Sequence, residues 1–137
     1  MEVKQILALD VGRARTGIAR ASNIARLAEP LMTVETDKAL NTIKDLIREQ
    51  DVEAIVIGLP RNMKSDDTAQ TEWVRDWVKK AKDHVRAPFY WQDEALTSKL
   101  AESSPLKLKK GQTADALAAA IILEDFLDTT EAERVVC

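Results

Sequence analysis

The sequence predicts an α/β domain built on an open sheet, with strands filling the first quarter of the chain and strands alternating with helices after that. Three observations carry this reading. The run ILALDVGRARTG, Ile6–Gly17, is apolar and β-rich up to Asp10 and then opens into a turn at Gly12. AIVIG, Ala54–Gly58, is a continuous apolar run of the kind a strand covered on both faces needs. Ala114 to about Leu127 is apolar on most of its surface, as expected of a buried helix.

Each element follows from local pattern. After the first strand, Thr16–Ala21 and Leu27–Val34 read as two more strands of a meander, with Pro30 putting the third at an edge. Thr36 or Asp37 can cap a helix whose Leu40, Ile43, Leu46 and Ile47 recur at helical spacing, ending near Gln50. Ala54–Gly58 is the fourth strand, stopped by Leu59-Pro60, and a polar loop, Arg61–Thr68, leads into a helix reaching about Val85. On that helix Trp73 and Trp77 lie at i and i+4 beside Val74, Val78 and Ala81, a stripe that predicts packing rather than cofactor stacking. Pro88–Gln92 is the fifth strand, Thr97 or Ser98 caps a short helix, Ser103–Gln112 is a lysine-bearing loop, and Thr113 caps the last helix. Asp128–Cys137 is expected to be a mobile tail.

Composition narrows the function classes. The 137 residues suit one domain over residues 1–137, and 45% hydrophobic with 31% charged residues is ordinary for a soluble globular protein. The apolar stretch Ala116–Leu123 is too short to span a membrane and no signal-peptide pattern opens the chain, so a cytoplasmic location is expected. The single Cys137 excludes an internal disulfide and a cysteine metal site. A net charge of −3 argues against coating nucleic acid by bulk electrostatics, although Lys107, Lys109 and Lys110 form a local basic cluster. Aromatic residues are 4% of the chain, too few for extensive base stacking, and His84 reads as a solvated surface residue.

Three acids fall at corresponding places: Asp10 at the end of the first strand, Glu94 at the end of the fifth, and Asp115 in the first turn of the last helix. In an open α/β sheet such positions can converge on one edge, where ligands bind. Carboxylates without His or Cys are hard ligands suited to Mg²⁺ or Mn²⁺, which can promote in-line phosphodiester hydrolysis. Asp93 and Glu94 are neighbours facing opposite sides of a strand, so only one enters the site, and the pattern does not choose between them. Arg13 and Arg15, at the tip of the first turn, can fork onto phosphate oxygens.

Taken together, ILALDVGRARTGIA, AEPLMTV, IVIGLPRNM, DEALTS and KKGQTADALAAAIIL resemble, in the same order, the YqgF/RuvX family of small bacterial proteins related to Holliday-junction resolvases and assigned as pre-16S rRNA nucleases. The resemblance covers nearly the whole chain. It implies an RNase H-like fold, a mixed five-stranded sheet flanked by helices, and a metal-dependent nuclease trimming the 5′ end of the small-subunit rRNA precursor. The family's site acids carry over onto Asp10, Glu94 and Asp115. Two departures stand out: Ala95 where the family usually has Arg, and KSDDT, Lys64–Thr68, where it usually has a glycine-containing loop. Both bear on substrate affinity and leave the three acids in place.

The resulting expectation is a nuclease in which Asp10, Glu94 and Asp115 hold Mg²⁺ or Mn²⁺. Arg13, Arg15, Lys109 and Lys110 would position RNA, with Arg61 and Asn62 as weaker contacts on the same rim. A four-way DNA junction is the alternative substrate, and monomer and homodimer both stay open. One rival is an actin-like or sugar-kinase phosphate loop, which the LDVGRARTG segment also resembles; clamping nucleotide there takes two lobes, more than 137 residues supply. Another is a non-catalytic binding module in ribosome assembly. ATP binding would favour the first, and metal-independent RNA binding without cleavage the second.

Overall fold

A computed structural model describes residues 2–62, 64, 66–94 and 113–137. Its elements are β1 (Gln5–Val11), β2 (Arg15–Ser22), β3 (Glu29–Glu35), α1 (Thr36–Glu49), β4 (Val52–Leu59), α2 (Ala69–Lys82), β5 (Phe89–Asp93), α3 (Ala114–Asp128), a 3-10 turn at Glu131–Glu133 and β6 (Val135–Val136). The helix expected after Thr97 or Ser98, and Lys107, Lys109 and Lys110, lie outside the described residues. No described helix is long and apolar enough to cross a membrane.

The strands form one sheet in the order β3-β2-β1-β4-β5-β6. β1, β2 and β3 are an antiparallel meander, β4 and β5 run parallel to β1, and β6 is antiparallel to β5. Pro30 sits on the edge strand β3, beside an irregularity in its register with β2. A missing N–H is harmless there.

Three expectations are corrected. The described sheet has six strands rather than five, because the segment expected to be a mobile tail folds back. Val135 and Val136 pair with β5, the Cys137 N–H donates to the Phe89 carbonyl at 2.9 Å, and Arg134 lies 4.5 Å over the Phe126 ring. Cys137 thus packs half-buried against the core, and burial pushes its thiol pKa up to about 12. The third correction concerns Thr36, the first residue of α1. Its hydroxyl donates to the Gly12 carbonyl at 2.6 Å and meets Thr16 Oγ1 at 2.9 Å instead of capping the helix.

The pleat divides the core in two. Leu7, Leu9 and Val11 of β1 and Ile55 and Ile57 of β4 face α1 and α2, burying against Ile43, Leu46, Val74 and Val78. Ile6 and Ala8 of β1, Ala19 and Ala21 of β2, and Ala54 and Val56 of β4 face α3, against Ala119, Ala120, Ile122, Leu123 and Phe126. Small residues dominate the second face, so α3 lies close on the sheet. Trp73 and Trp77 pack against the α1–α2 core, as their spacing predicts.

Candidate active site

Because β1, β4 and β5 are parallel, their C-terminal ends share one edge of the sheet. Alternation places Asp10 with Ile6 and Ala8 on the α3 side. It also separates the two candidates at the end of β5. Phe89 and Trp91 pack with the α1–α2 core and Asp93 follows them to that face, whereas Tyr90 packs with the α3 core and Glu94 falls on its side. The Glu94 N–H donates to the Leu59 carbonyl at 3.0 Å, holding it one residue beyond the strand. Asp115, in the first turn of α3, arrives over β2, where Thr113 caps the helix by accepting from the Ala116 N–H at 3.3 Å.

Two glycines make this convergence possible, and neither was singled out for it in the sequence. Gly58 lies on β4, between β1 and β5, on the α3 face. A Cβ there would sit 2.7 Å from Glu94 Cδ and 2.6 Å from Ile122 Cδ1. Its missing side chain leaves the space through which Glu94 reaches Asp10 across the intervening strand. Gly17 pairs with Asp10 on β2, and a Cβ there would sit 2.0 Å from the Asp115 carbonyl oxygen. Only a bare backbone lets the first turn of α3 settle on β2. A glycine inside a strand pattern is the available signal for such close approach.

Asp10 and Glu94 are mostly buried and hydrogen-bonded to each other. Burial raises the Asp10 pKa, which the bond from Glu94 partly offsets and the charge of Asp115 adds to. Glu94 is pushed up to about 8, first by burial, then by the charge and hydrogen bond of Asp10 and the charge of Asp93. The two carboxyls thus titrate as a pair that keeps a proton above the ordinary carboxylate range, with the large upward push on Glu94. Unfolded, Glu94 ionises near 4.5; folded, it holds its proton to about 8. Stability from this group is full below pH 4.5 and declines as pH rises through 8. Without metal, the melting temperature should fall between pH 5 and 8. Glu94→Gln should flatten the profile and be more stable at pH 8 by on the order of 2 kcal/mol, less than the full shift implies because the site is partly solvated. Thermal melts of both proteins across that range check this.

The basic residues proposed for the rim separate. Arg15 shares the α3 face, its Nε 3.3 Å from Asp115 Oδ2. Arg13 goes to the other face, donating to Gln70 Oε1 at 3.1 Å and lying 5.8 Å over the Trp73 ring. Arg61 bridges Asp67 at 3.1 Å and Asp93 at 3.2 Å, and Arg75 joins the same network through Asp67 at 3.3 Å. Asn62 Oδ1 accepts from the Lys64 and Asp66 N–H groups, each at 2.9 Å, shaping the loop. Arg61 and Asp93 thus bind the β4–α2 loop, shaped by Asn62, to the end of β5, opposite the carboxylate pair. Lys109, Lys110 and Ala95 lie outside the described residues.

The RuvX family model, described as Holliday junction resolvase, matches residues 4–129. The chain belongs to the RuvX family. A RuvX relative from Roseiflexus sp. (strain RS-1), named "Putative pre-16S rRNA nuclease", is 37% identical over 136 residues, covering 93% of this chain and 96% of its own. Relatives of the same name from Sulfurihydrogenibium sp. (strain YO3AOP1) and Chloroflexus aurantiacus are 34% and 37% identical over 132 and 133 residues, covering 92% and 90% of this chain and 91% and 86% of theirs. Among solved structures, Thermus thermophilus RuvC in complex with a Holliday junction substrate matches with a TM-score of 0.64 at 13% identity, over 98% of this chain and 99% of that one. At that identity the likeness establishes the fold, which is RNase H-like.

The RuvX carboxyl pair fits a hard divalent cation. Two mostly buried carboxyl groups share one proton, and a cation in place of that proton would relieve their repulsion. His84 and Cys137, the softer donors, lie elsewhere in the fold. Among the described residues no three His, Cys, Asp or Glu side chains already stand together as a metal cage, and Asp115 is engaged by Arg15.

Proposed function

We propose that this chain is a divalent-metal-dependent nuclease that hydrolyses phosphodiester bonds, with the 5′ region of pre-16S rRNA as its substrate. The observation carrying the reading is the hydrogen-bonded Asp10–Glu94 pair at the C-terminal edge of the parallel strands, in a chain whose RuvX relatives are named as nucleases. Asp10 and Glu94 would hold Mg²⁺ or Mn²⁺, and Asp115 would complete the set. A bound cation supplies Lewis-acid polarisation of a phosphoryl oxygen and lowers the pKa of attacking water. Holding a cation would require Glu94 to give up its proton, so the pair would suit a cation better as pH rises towards 8. Arg15 can exchange Asp115 for a phosphate oxygen, and Arg13, across the same edge, can meet the strand as it leaves the site. Lys109 and Lys110 are retained as further contacts to RNA, with Arg61 and Asn62 supporting the edge from the opposite face.

Purified protein should cleave a 5′-extended rRNA precursor fragment in Mg²⁺ or Mn²⁺, and EDTA should abolish the cleavage. A four-way DNA junction tested alongside should be cleaved at least tenfold more slowly. Faster cleavage of the junction would transfer the chemistry to DNA. Cleavage of neither by folded, metal-supplemented protein would refute the nuclease.

A further inference from the structure

A cavity of about 350 Å³ opens at the other end of the molecule, lined by Lys44, Ile47, Arg48, His84, Val85 and Arg86. It lies between the C-terminal half of α1 and the connection from α2 to β5, at the edge where the parallel strands begin. The seven steps of β4 from Val52 to Leu59 separate this edge from the carboxylates by roughly 23 Å at about 3.3 Å per residue. Ile47 and the buried Val85 make an apolar floor, and no acid lines the walls. Arg48 pairs with Asp45, but among the described residues neither Lys44 nor Arg86 has an ion pair.

The catalytic edge differs. There Arg13, Arg15 and Arg61, the arginines described, are all engaged by side chains of their own chain. Helix dipoles favour cations in a last turn, which accounts for Arg48. They do not account for Lys44, a turn earlier in α1, or for Arg86 beyond the end of α2. Their convergence on one concave, acid-free surface is the arrangement that accepts phosphate. A chain of net charge −3 that binds a polyanion must do so through such local surfaces.

We propose that this cleft is a second, non-catalytic binding site for the phosphate backbone of RNA, engaging the substrate away from the cut. The proposal rests on the nuclease reading only in naming the polyanion. Arg13 over Trp73 marks the catalytic end of the face that α1 and α2 share, and the cleft lies at its other end. A strand reaching both must be on the order of seven nucleotides or longer at 3.4 Å each. An RNA of about six nucleotides centred on the cleavage point cannot.

The test measures Kd in EDTA, where no cleavage interferes, for a fluorescein-labelled six-nucleotide RNA and for a long 5′-extended precursor fragment. The double reversal Lys44→Glu/Arg86→Glu should weaken the long RNA about tenfold or more and make the slope of log Kobs against log salt shallower by roughly 1.5. A six-nucleotide RNA, which can occupy either end of the face but not both at once, should lose less affinity than the long RNA. The control Lys79→Glu/Lys80→Glu alters exposed lysines outside the cleft by the same charge. An equal loss in the control would show bulk charge at work and overturn the site. So would an unchanged Kd and slope in the cleft variant, leaving an acidic protein segment as the occupant. If wild-type protein cleaves no RNA but the cleft reversal still weakens binding selectively, the nuclease reading fails and the cleft stands. If cleavage proceeds and binding ignores the reversal, the cleft falls alone.

Discussion

Asp10→Asn is expected to lower metal-dependent RNA cleavage by about 10³-fold or more, of order 4 kcal/mol in the barrier, while leaving the protein folded. The substitution keeps the shape of the side chain and removes a hard anionic donor together with one of the two carboxyls that share a proton. It also removes a charge that raises the Glu94 pKa, so Glu94 should ionise at lower pH in the variant. Stability should move opposite to activity. Without metal at pH 8, Asp10→Asn should be more stable than wild type by on the order of 1 kcal/mol, because one buried carboxylate fewer must be accommodated. Single-turnover cleavage and urea denaturation of the same preparation check both parts. Full cleavage by a folded Asp10→Asn protein would remove the pair from the chemistry.

The largest stability effect should come from Gly17→Ala. The added Cβ would lie 2.0 Å from the Asp115 carbonyl oxygen, 2.2 Å from its carbonyl carbon and 2.8 Å from the Ala116 nitrogen. These are backbone atoms of α3, which no rotamer change can move aside. The helix must shift, and its close packing on Ala19 and Ala21 is lost with it. A loss of roughly 3 kcal/mol is expected, at the upper end for overpacking. Gly58→Ala provides a contrast, because its added Cβ meets the side-chain atoms of Ile122 and Glu94. Those can yield, so it should cost less stability while displacing Glu94 from Asp10. Chemical denaturation of the two variants side by side measures the difference. Equal stability of Gly17→Ala and wild type would mean that α3 is not seated on β2 as described.

Much of the architecture was legible because each signal was local. The apolar run ending at Asp10, the continuous AIVIG strand and the Thr113 cap each identify an element within a few residues, and the structure bears them out. The meander of the first three strands and the placement of three acids at strand ends or a helix start could be anticipated on the same basis. The sixth strand was not legible. Val135 and Val136 form a strand only because β5 offers a free edge, and Cys137 is covered only because the chain returns to the core. The choice between Asp93 and Glu94 was likewise closed to the sequence, since alternation separates two neighbours without saying which face holds the site.

The sequence by itself determined the α/β class, the family resemblance and the residue types available for the chemistry, because hydrophobic period, caps and motif order are written along the chain. Only the tertiary structure decided which charges meet. It brought Glu94 to Asp10 through the space left at Gly58, gave Asp93 to Arg61 on the opposite face, and separated Arg13 from Arg15 across the sheet. It also gathered Lys44, Arg48, His84 and Arg86, drawn from two distant segments, around one cavity. Such meetings depend on strand register and on the faces of packed helices, where residues tens of positions apart come within ångströms. No periodicity along the chain records them.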